Sequence, residues 1–252
     1  MSHQEAPQGY RYHLSGQSEP ALATFEVVPA LSSILDLALA GEFQAIRLDA
    51  LRGAYSRADF DDDELAQSMS PHDSELVAEE AAQIKKAADT ERPYMYARFP
   101  GLAPHPPGPD GQSIGFVAGF GHVEQVKVDG VLGHLRAKLS RKPAPTAIFD
   151  IGTVFTGTGM QRKGVAHAQW LSMTDVLPDA AQVTAHIPAI NRGAKLLLVD
   201  RLGFKISDDQ SGQPRMVHGK SFNYTRYEGP LVGEFRQLLL DLYPGFNSRE
   251  PI

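Results

Sequence analysis

The sequence predicts a mixed α/β fold, a sheet flanked by helices, and three observations predict it. Ala147 to Thr156 alternates and is β-rich, runs into the glycines of FTGTGMQRKG and is followed by a helical stretch, so strand, turn and helix stand in succession. The elements from Ala147 onward read β-α-β-α-β-β-α, without an internal repeat. The chain has 252 residues and no cysteine, long enough to bury a core without a disulfide or a thiolate metal site. One domain over residues 21–252, preceded by an arm, is the expected organisation.

Residues 1–20 are polar, contain Gly, Ser and Pro and show no periodicity, which reads as an arm or disordered tail. Ala21 to Val28 is expected as a strand and Leu31 to Phe43 as an apolar helix. The acidic run Asp59-Phe60-Asp61-Asp62-Asp63-Glu64 is either a solvated helix start or a face for a cation or a positively charged substrate. Ser70-Pro71-His72-Asp73 carries a helix-start pattern, with serine at the N-cap and proline at the first helical position. Val77, Ala81, Ile84 and Ala88 then share one helical face and should pack on a sheet.

Tyr94 to Phe99 is an aromatic strand, and Pro104 to Gly111, with four prolines, is expected as an exposed loop. Ser113 to Val123 reads as a strand whose glycines suggest close packing against it. Val131 to Leu139 fits either an extra strand or a short helix. After the central strand a helix is expected from Gly164 to about Val176, stopped by Pro178. Gln182 to Ile187 is expected as a strand and Asn191 to Leu202 as a helix. Gly203 is its left-handed stop before the strand Phe204 to Ser207. Met216 to Tyr227 reads as the last strand and Leu231 to Leu242 as the last helix.

A net charge of −6, with basic residues scattered apart from Gln161-Arg162-Lys163 and Arg136 to Lys142, gives no general attraction for nucleic acid. No apolar run reaches membrane-span length, and the first residues lack the apolar stretch of a secretory signal. A cytoplasmic protein with neither nucleic-acid nor membrane partners is expected.

The glycine turn holds the chemistry. Main-chain N–H groups at a helix start are unpaired and the helix dipole favours negative charge there, so a glycine turn that aims them outward suits phosphate oxygens. Gly164 would open such a helix, with Arg162 and Lys163 adding charge. A dinucleotide fingerprint read from Gly157 and Gly159 needs glycine where Arg162 stands, and a P-loop needs Ser or Thr where Gly164 stands, so both fail. A strand-to-helix turn that binds nothing is the alternative for Gln161 to Ala166 taken alone.

QRKGVA resembles the Arg/Gln-x-x-Gly-x-Gly/Ala turn of the GCN5-related N-acetyltransferase (GNAT) superfamily, and NRGAKLLLVDRLGF resembles its Asn-x-x-Ala helix ending in Leu-Gly-Phe. The likeness covers roughly Ser113 to Tyr227. It implies a mixed, mostly antiparallel sheet with splayed parallel strands 4 and 5, flanked by helices, and a cofactor half at about 113–227. It further implies acetyl-CoA or another acyl-CoA as co-substrate, its pyrophosphate on Gln161, Arg162, Lys163, Gly164, Val165 and Ala166. Glycine at 164 would let that group approach the backbone closely. The pantetheine would run along Val154, Phe155 and Thr156. Asn191 would contact the pantetheine or order the site, and it also suits the N-cap of its helix. Ala194, Leu197, Leu198 and Leu202 are better read as a buried face.

The implied activity is transfer of an acetyl or acyl group to an amine by direct attack, on a small molecule or on a peptide or protein. A homodimer is compatible with the resemblance. An alkylamine has a pKa of about 10, so a base or a water relay is needed at neutral pH. Asp150 on the central strand and His122 and Glu124 on the preceding one are candidates, and His186 could also face the thioester. Asp150 could equally be a strand-end carboxylate satisfied by backbone or arginine. The family's usual acid is a tyrosine five residues before the terminal phenylalanine, where this chain has Val199. That leaves Tyr224, Tyr227 or water for the departing thiolate. A non-catalytic acyl-CoA binder or regulatory domain is the competing function.

Overall fold

A computed structural model describes residues 9–14, 24–30, 36–55, 74–89, 93–102, 116–126, 147–188, 191–207, 214–217 and 220–252. The acidic run at 59–64, the helix start at 70–73, the proline-rich loop at 104–111 and the ambiguous segment 131–139 lie outside them. The described strands are β1 (Tyr10–His13), β2 (Thr24–Pro29), β3 (Tyr94–Phe99), β4 (Phe116–Val126), β5 (Ile148–Thr156), β6 (Gln182–Pro188), β7 (Lys205–Ile206), β8 (Pro214–Val217), β9 (Lys220–Leu231) and β10 (Glu250–Pro251). The helices are α1 (Asp36–Tyr55), α2 (Ser74–Asp89), α3 (Val165–Asp175), α4 (Arg192–Lys195) and α5 (Val232–Leu242). Among the recorded strand pairings only β5 with β6 is parallel, so this is the mixed, mostly antiparallel sheet with flanking helices that was expected.

The described residues divide between two compact units. The first is drawn from Met1–His122, Thr153–Met173 and Leu240–Ile252, the second from Val123–Gly152 and Thr174–Leu239. In the first, β1 pairs with β10 and β2, β2 with β3, and β3 with β4, all antiparallel. Its core joins α1 and α2 to this sheet: Leu39, Phe43 and Ile46 from α1 and Ile84 from α2 pack with Tyr94, Tyr96, Val117 and Phe120. Val77 and Ala81 pack against the same cluster, as the spacing along α2 predicts. Phe43 stacks on Phe120 with ring centroids 4.4 Å apart, and Tyr94 lies parallel to both.

Two buried charges are built into this unit. Glu26 stands opposite Arg11 on β1 and Arg98 on β3, and accepts hydrogen bonds at 2.9 Å from both guanidiniums. Glu80 of α2 pairs with Arg47 of α1 at 2.6 Å and accepts a hydrogen bond from the Tyr94 hydroxyl.

In the second unit, Ile148–Asp150 of β5 runs parallel to Gln182–Thr184 of β6, and β6 pairs with β9, which also pairs with β7 and β8. Val183, Ala185, Ile187, Leu198, Leu202, Phe204, Phe235 and Leu239 are buried here. Phe204 packs so closely on β9 that a Cβ at Gly229 would stand 2.5 Å from its ring.

Several boundaries differ from the sequence reading. Tyr10–His13, read as part of an arm, forms β1, because Tyr12 is wholly buried against Phe25 and Phe246 and donates or accepts a 2.6 Å hydrogen bond with the Ser172 hydroxyl. The first helix runs on to Tyr55. The single strand expected over Met216 to Tyr227 is a hairpin, β8 and β9, with Val217 opposite Lys220. The helix expected over 191–202 is α-helical only to Lys195, and Leu196–Arg201 widens into a π turn in which the Leu202 N–H reaches Leu197 O. After α5, Pro244–Ser248 forms a 3₁₀ turn and Glu250–Pro251 pairs with β1; neither was expected.

Candidate active site

The first unit contains the turn between β5 and α3. Gly157 donates to Ala118 O at 3.0 Å, tying the end of β5 to β4. Backbone groups alternate between the two edges of a strand, so Val154 and Thr156 present theirs to the other edge. Gly119 explains the closeness of these strands: a Cβ there would stand 2.5 Å from Phe155 O. The glycine-rich strand expected to be closely packed is therefore closely packed at Gly119, by Phe155, Thr156 and Gln169. The Phe155 ring lies in the core, 5.4 Å from Phe120 and with the Arg47 guanidinium 5.5 Å above it.

Beyond Gly157 the chain makes a 3₁₀ turn at Thr158–Met160, where the Thr158 N–H is taken by Asp49 of α1 at 2.7 Å. Arg162 then has φ +64° and Gly164 φ +82°. Arg162 is the one non-glycine residue with positive φ among the described residues. The left-handed region costs an L-residue about 1–2 kcal/mol, and such strain clusters where a backbone is held for a purpose. Left-handed residues in a short turn swing consecutive N–H groups into a concavity suited to anions. The first bond of α3 runs from Ala168 N–H to Gly164 O at 3.0 Å, so the N–H groups of Val165 and Ala166 lie ahead of the helical ladder. Gln161 and Arg162 are exposed, Lys163 half-buried and Gly164 buried.

The structure adds reasons of its own for glycine at 164. A Cβ there would stand 3.1 Å from Phe246 and 3.4 Å from Tyr243. Conformation and the aromatic backing of the turn demand glycine, independently of any ligand.

His122, on β4, stacks on Tyr94 with centroids 5.1 Å apart, inside the aromatic layer. Glu124 is exposed. In the second unit, Asp150 and His186 are brought together: Asp150 Oδ2 is 2.6 Å from His186 Nδ1, while Asp150 Oδ1 is buried without a hydrogen-bond partner. Tyr224 is half-buried and opposite Pro188, and Arg226 is opposite His186. Asn191 caps α4, its Oδ1 accepting the Ala194 N–H at 3.0 Å. Leu198 and Leu202 are core residues, Ala194 and Leu197 half-buried, and Val199 is half-buried in the π turn. Gly203 has φ +72°, the expected left-handed stop. Sequence reasoning missed Asp49 and the backing pair Tyr243 and Phe246, whose contacts with the turn span tens of residues and leave no local pattern.

Among the described residues no helix is long and apolar enough to cross a membrane, and no cluster of His, Asp and Glu suited to a metal ion occurs. No family model matches the sequence, and no curated protein matches it. Solved structures do. RimJ of Mycobacterium smegmatis, in complex with CoA-disulfide, superposes with a TM-score of 0.52 at 11% identity, covering 94% of this chain and 95% of that one. An acetyltransferase of the GNAT family from Streptococcus pneumoniae gives a TM-score of 0.46 at 15% identity, covering 83% and 99%. An N-acetyltransferase from Staphylococcus aureus Mu50 gives 0.46 at 13%, covering 82% and 98%. With its mixed sheet, its single recorded parallel pair and its flanking helices, the chain shares the fold of RimJ, a GNAT superfamily fold as the sequence motifs imply.

Proposed function

We propose that the protein is an acyl-CoA-dependent N-acyltransferase that passes an acetyl or other acyl group to the amine of a small molecule by direct attack. The observation that carries this reading is the backbone at Arg162 and Gly164, left-handed at both residues immediately ahead of α3. A strained arginine, exposed beside Lys163 at a helix start, fits a pyrophosphate: main-chain donors, a favourable dipole and two cations converge there.

Gln161 to Ala166 would hold the pyrophosphate, and the backbone groups of Val154 and Thr156 on the edge away from β4 would hold the pantetheine. Bound acyl-CoA would supply an acyl group already activated as a thioester. A main-chain N–H near Val154 to Thr156 would polarise the acyl oxygen, a role open to any residue type. The residues from about 113 to 227 would then be the cofactor half of the protein.

Incubation of the pure protein with acetyl-CoA and a broad panel of small amines and short peptides should release CoA with at least one small amine. No release above background with any of them contradicts the reading, and release with peptides alone moves the acceptor to a peptide or protein amine. A second reading, a non-catalytic acyl-CoA binder, is favoured by Val199 at the position where the family has its tyrosine. Calorimetric binding of CoA without turnover would select it.

A further inference from the structure

We infer that Asp49 is a positioning residue of the cofactor turn, an assignment that rests on the reading of Gln161 to Ala166 as an acyl-CoA cradle. Asp49 Oδ2, on α1, accepts the Thr158 N–H at 2.7 Å, across 109 residues of chain. It lies against the end of β5: a Cβ on Gly157 would stand 4.0 Å from the same oxygen. Thr158 in turn offers its carbonyl to the Gln161 N–H at 3.4 Å, and the Met160 N–H reaches Gly157 O at 2.8 Å. The hold on Thr158 is thus passed to Gln161, the first residue of the cradle.

Strain makes such a hold necessary. Arg162 keeps a left-handed backbone at φ +64°, a state that persists only when its surroundings over-determine it. Downstream, Tyr243 and Phe246 back Gly164. Upstream, the fixed points are Gly157 on Ala118 O and Thr158 on Asp49. An anchor must itself be fixed, and α1 is. Leu48, next to Asp49, is buried, and Ile46 sits in the core cluster. Arg47 pairs with Glu80 of α2 at 2.6 Å, and its guanidinium lies 5.7 Å from the centre of the Phe120 ring and 5.5 Å from that of Phe155.

The charge of Asp49 argues for action on the backbone and against a direct ligand contact. An ionised carboxylate accepts hydrogen bonds and donates none, and it repels a pyrophosphate. Its bond to a main-chain N–H is charge-assisted, about twice as strong as a neutral one. Asp49 therefore shapes the turn before the cofactor arrives, which lowers the ordering cost of binding.

The test is a double-mutant cycle on CoA affinity, read by calorimetry, with amide hydrogen exchange alongside. Asp49→Ala should weaken CoA binding about tenfold. Asp49→Asn, whose amide oxygen still accepts the bond, should bind CoA at least as tightly as the native protein. Thr158→Pro removes the donor instead: Thr158 opens a 3₁₀ turn, and Gly157 before it is extended at ψ 143°, so proline fits. This variant should match Asp49→Ala, and the double variant should be no weaker than either alone. Exchange of the Thr158 and Gln161 amides should be faster in Asp49→Ala and native-like in Asp49→Asn. Native affinity in Asp49→Ala, additive losses in the double variant, or Asp49→Asn as weak as Asp49→Ala overturns the assignment. If Asp49→Ala fails to fold, Thr158→Pro carries the affinity test, and native affinity there overturns it equally. If the native protein binds no CoA, the cradle reading falls. Amide exchange then decides separately whether Asp49 holds the turn, and unchanged exchange in Asp49→Ala overturns that hold.

Discussion

Phe246 occupies the space into which any side chain at position 164 would project: a Cβ on Gly164 would meet its ring edge at 3.1 Å. Phe246 is buried, stacks on Tyr243 and meets Tyr12 edge-on, so the C-terminal turn and β1 together back the glycine turn. Tyr243 also lies 4.4 Å from the His167 ring on α3, measured between centroids. The segment after α5 thus supports the start of α3.

Gly164→Ala should cost about 1–2 kcal/mol of stability from the left-handed φ alone, and should weaken CoA binding because the turn must rearrange. Chemical denaturation and calorimetry on the same preparation measure both. Native stability and affinity in this variant contradict the description of the turn.

Phe246→Ala removes the backing and leaves a cavity, at a cost of about 3–5 kcal/mol. If the variant remains folded, CoA affinity should fall although the residue lies behind the turn. Affinity retained at reduced stability would show that the turn holds its shape unaided.

Arg162→Gly separates strain from charge. Removing the left-handed penalty should offset the extra freedom of glycine and leave stability equal or higher by about 1 kcal/mol, while loss of the guanidinium weakens CoA binding. A thermal melt and a CoA titration read the two effects, and a marked loss of stability would contradict the assignment of strain to Arg162.

Glu26 predicts a pH dependence. Burial pushes its carboxyl up, but the hydrogen bonds and charges of Arg11 and Arg98 outweigh burial and hold it below the ordinary value. A lowered carboxyl pKa stabilises the fold fully above the unfolded value, near 4.3, and that contribution is lost as pH falls through the folded value. Glu26→Gln should cost about 2 kcal/mol at neutral pH, and its stability should fall less steeply with acidification below about pH 4 than that of the native protein. Parallel acid unfolding curves would contradict this.

The parts of the fold legible in the sequence are those with local causes. The aromatic run at Tyr94 to Phe99 coincides with β3, and Gly203 stops its helix because only a residue without Cβ enters the left-handed region freely. The pairing of QRKGVA with the Asn191 helix led to the fold. What stayed hidden has distant causes. Nothing near Tyr12 announces β1, whose stability comes from Phe25, Phe246 and Ser172. The π turn at Leu196–Arg201 does not follow from a run of leucines that equally suits an α-helix. At the candidate site, the glycines and the charges of Arg162 and Lys163 could be read directly. The positive φ of Arg162 could not, since an arginine adopts it only under constraint. Asp150 and His186 were each visible, but their contact depends on the register of β5 with β6.

The central claim is that the Gln161 to Ala166 turn binds the pyrophosphate of an acyl-CoA. Calorimetric titration of the native protein with CoA and with pantetheine, which lacks the pyrophosphate, tests it most directly. CoA should bind at least about tenfold more tightly, a difference of about 1.4 kcal/mol. Equal affinities, or no binding of CoA, would contradict the account.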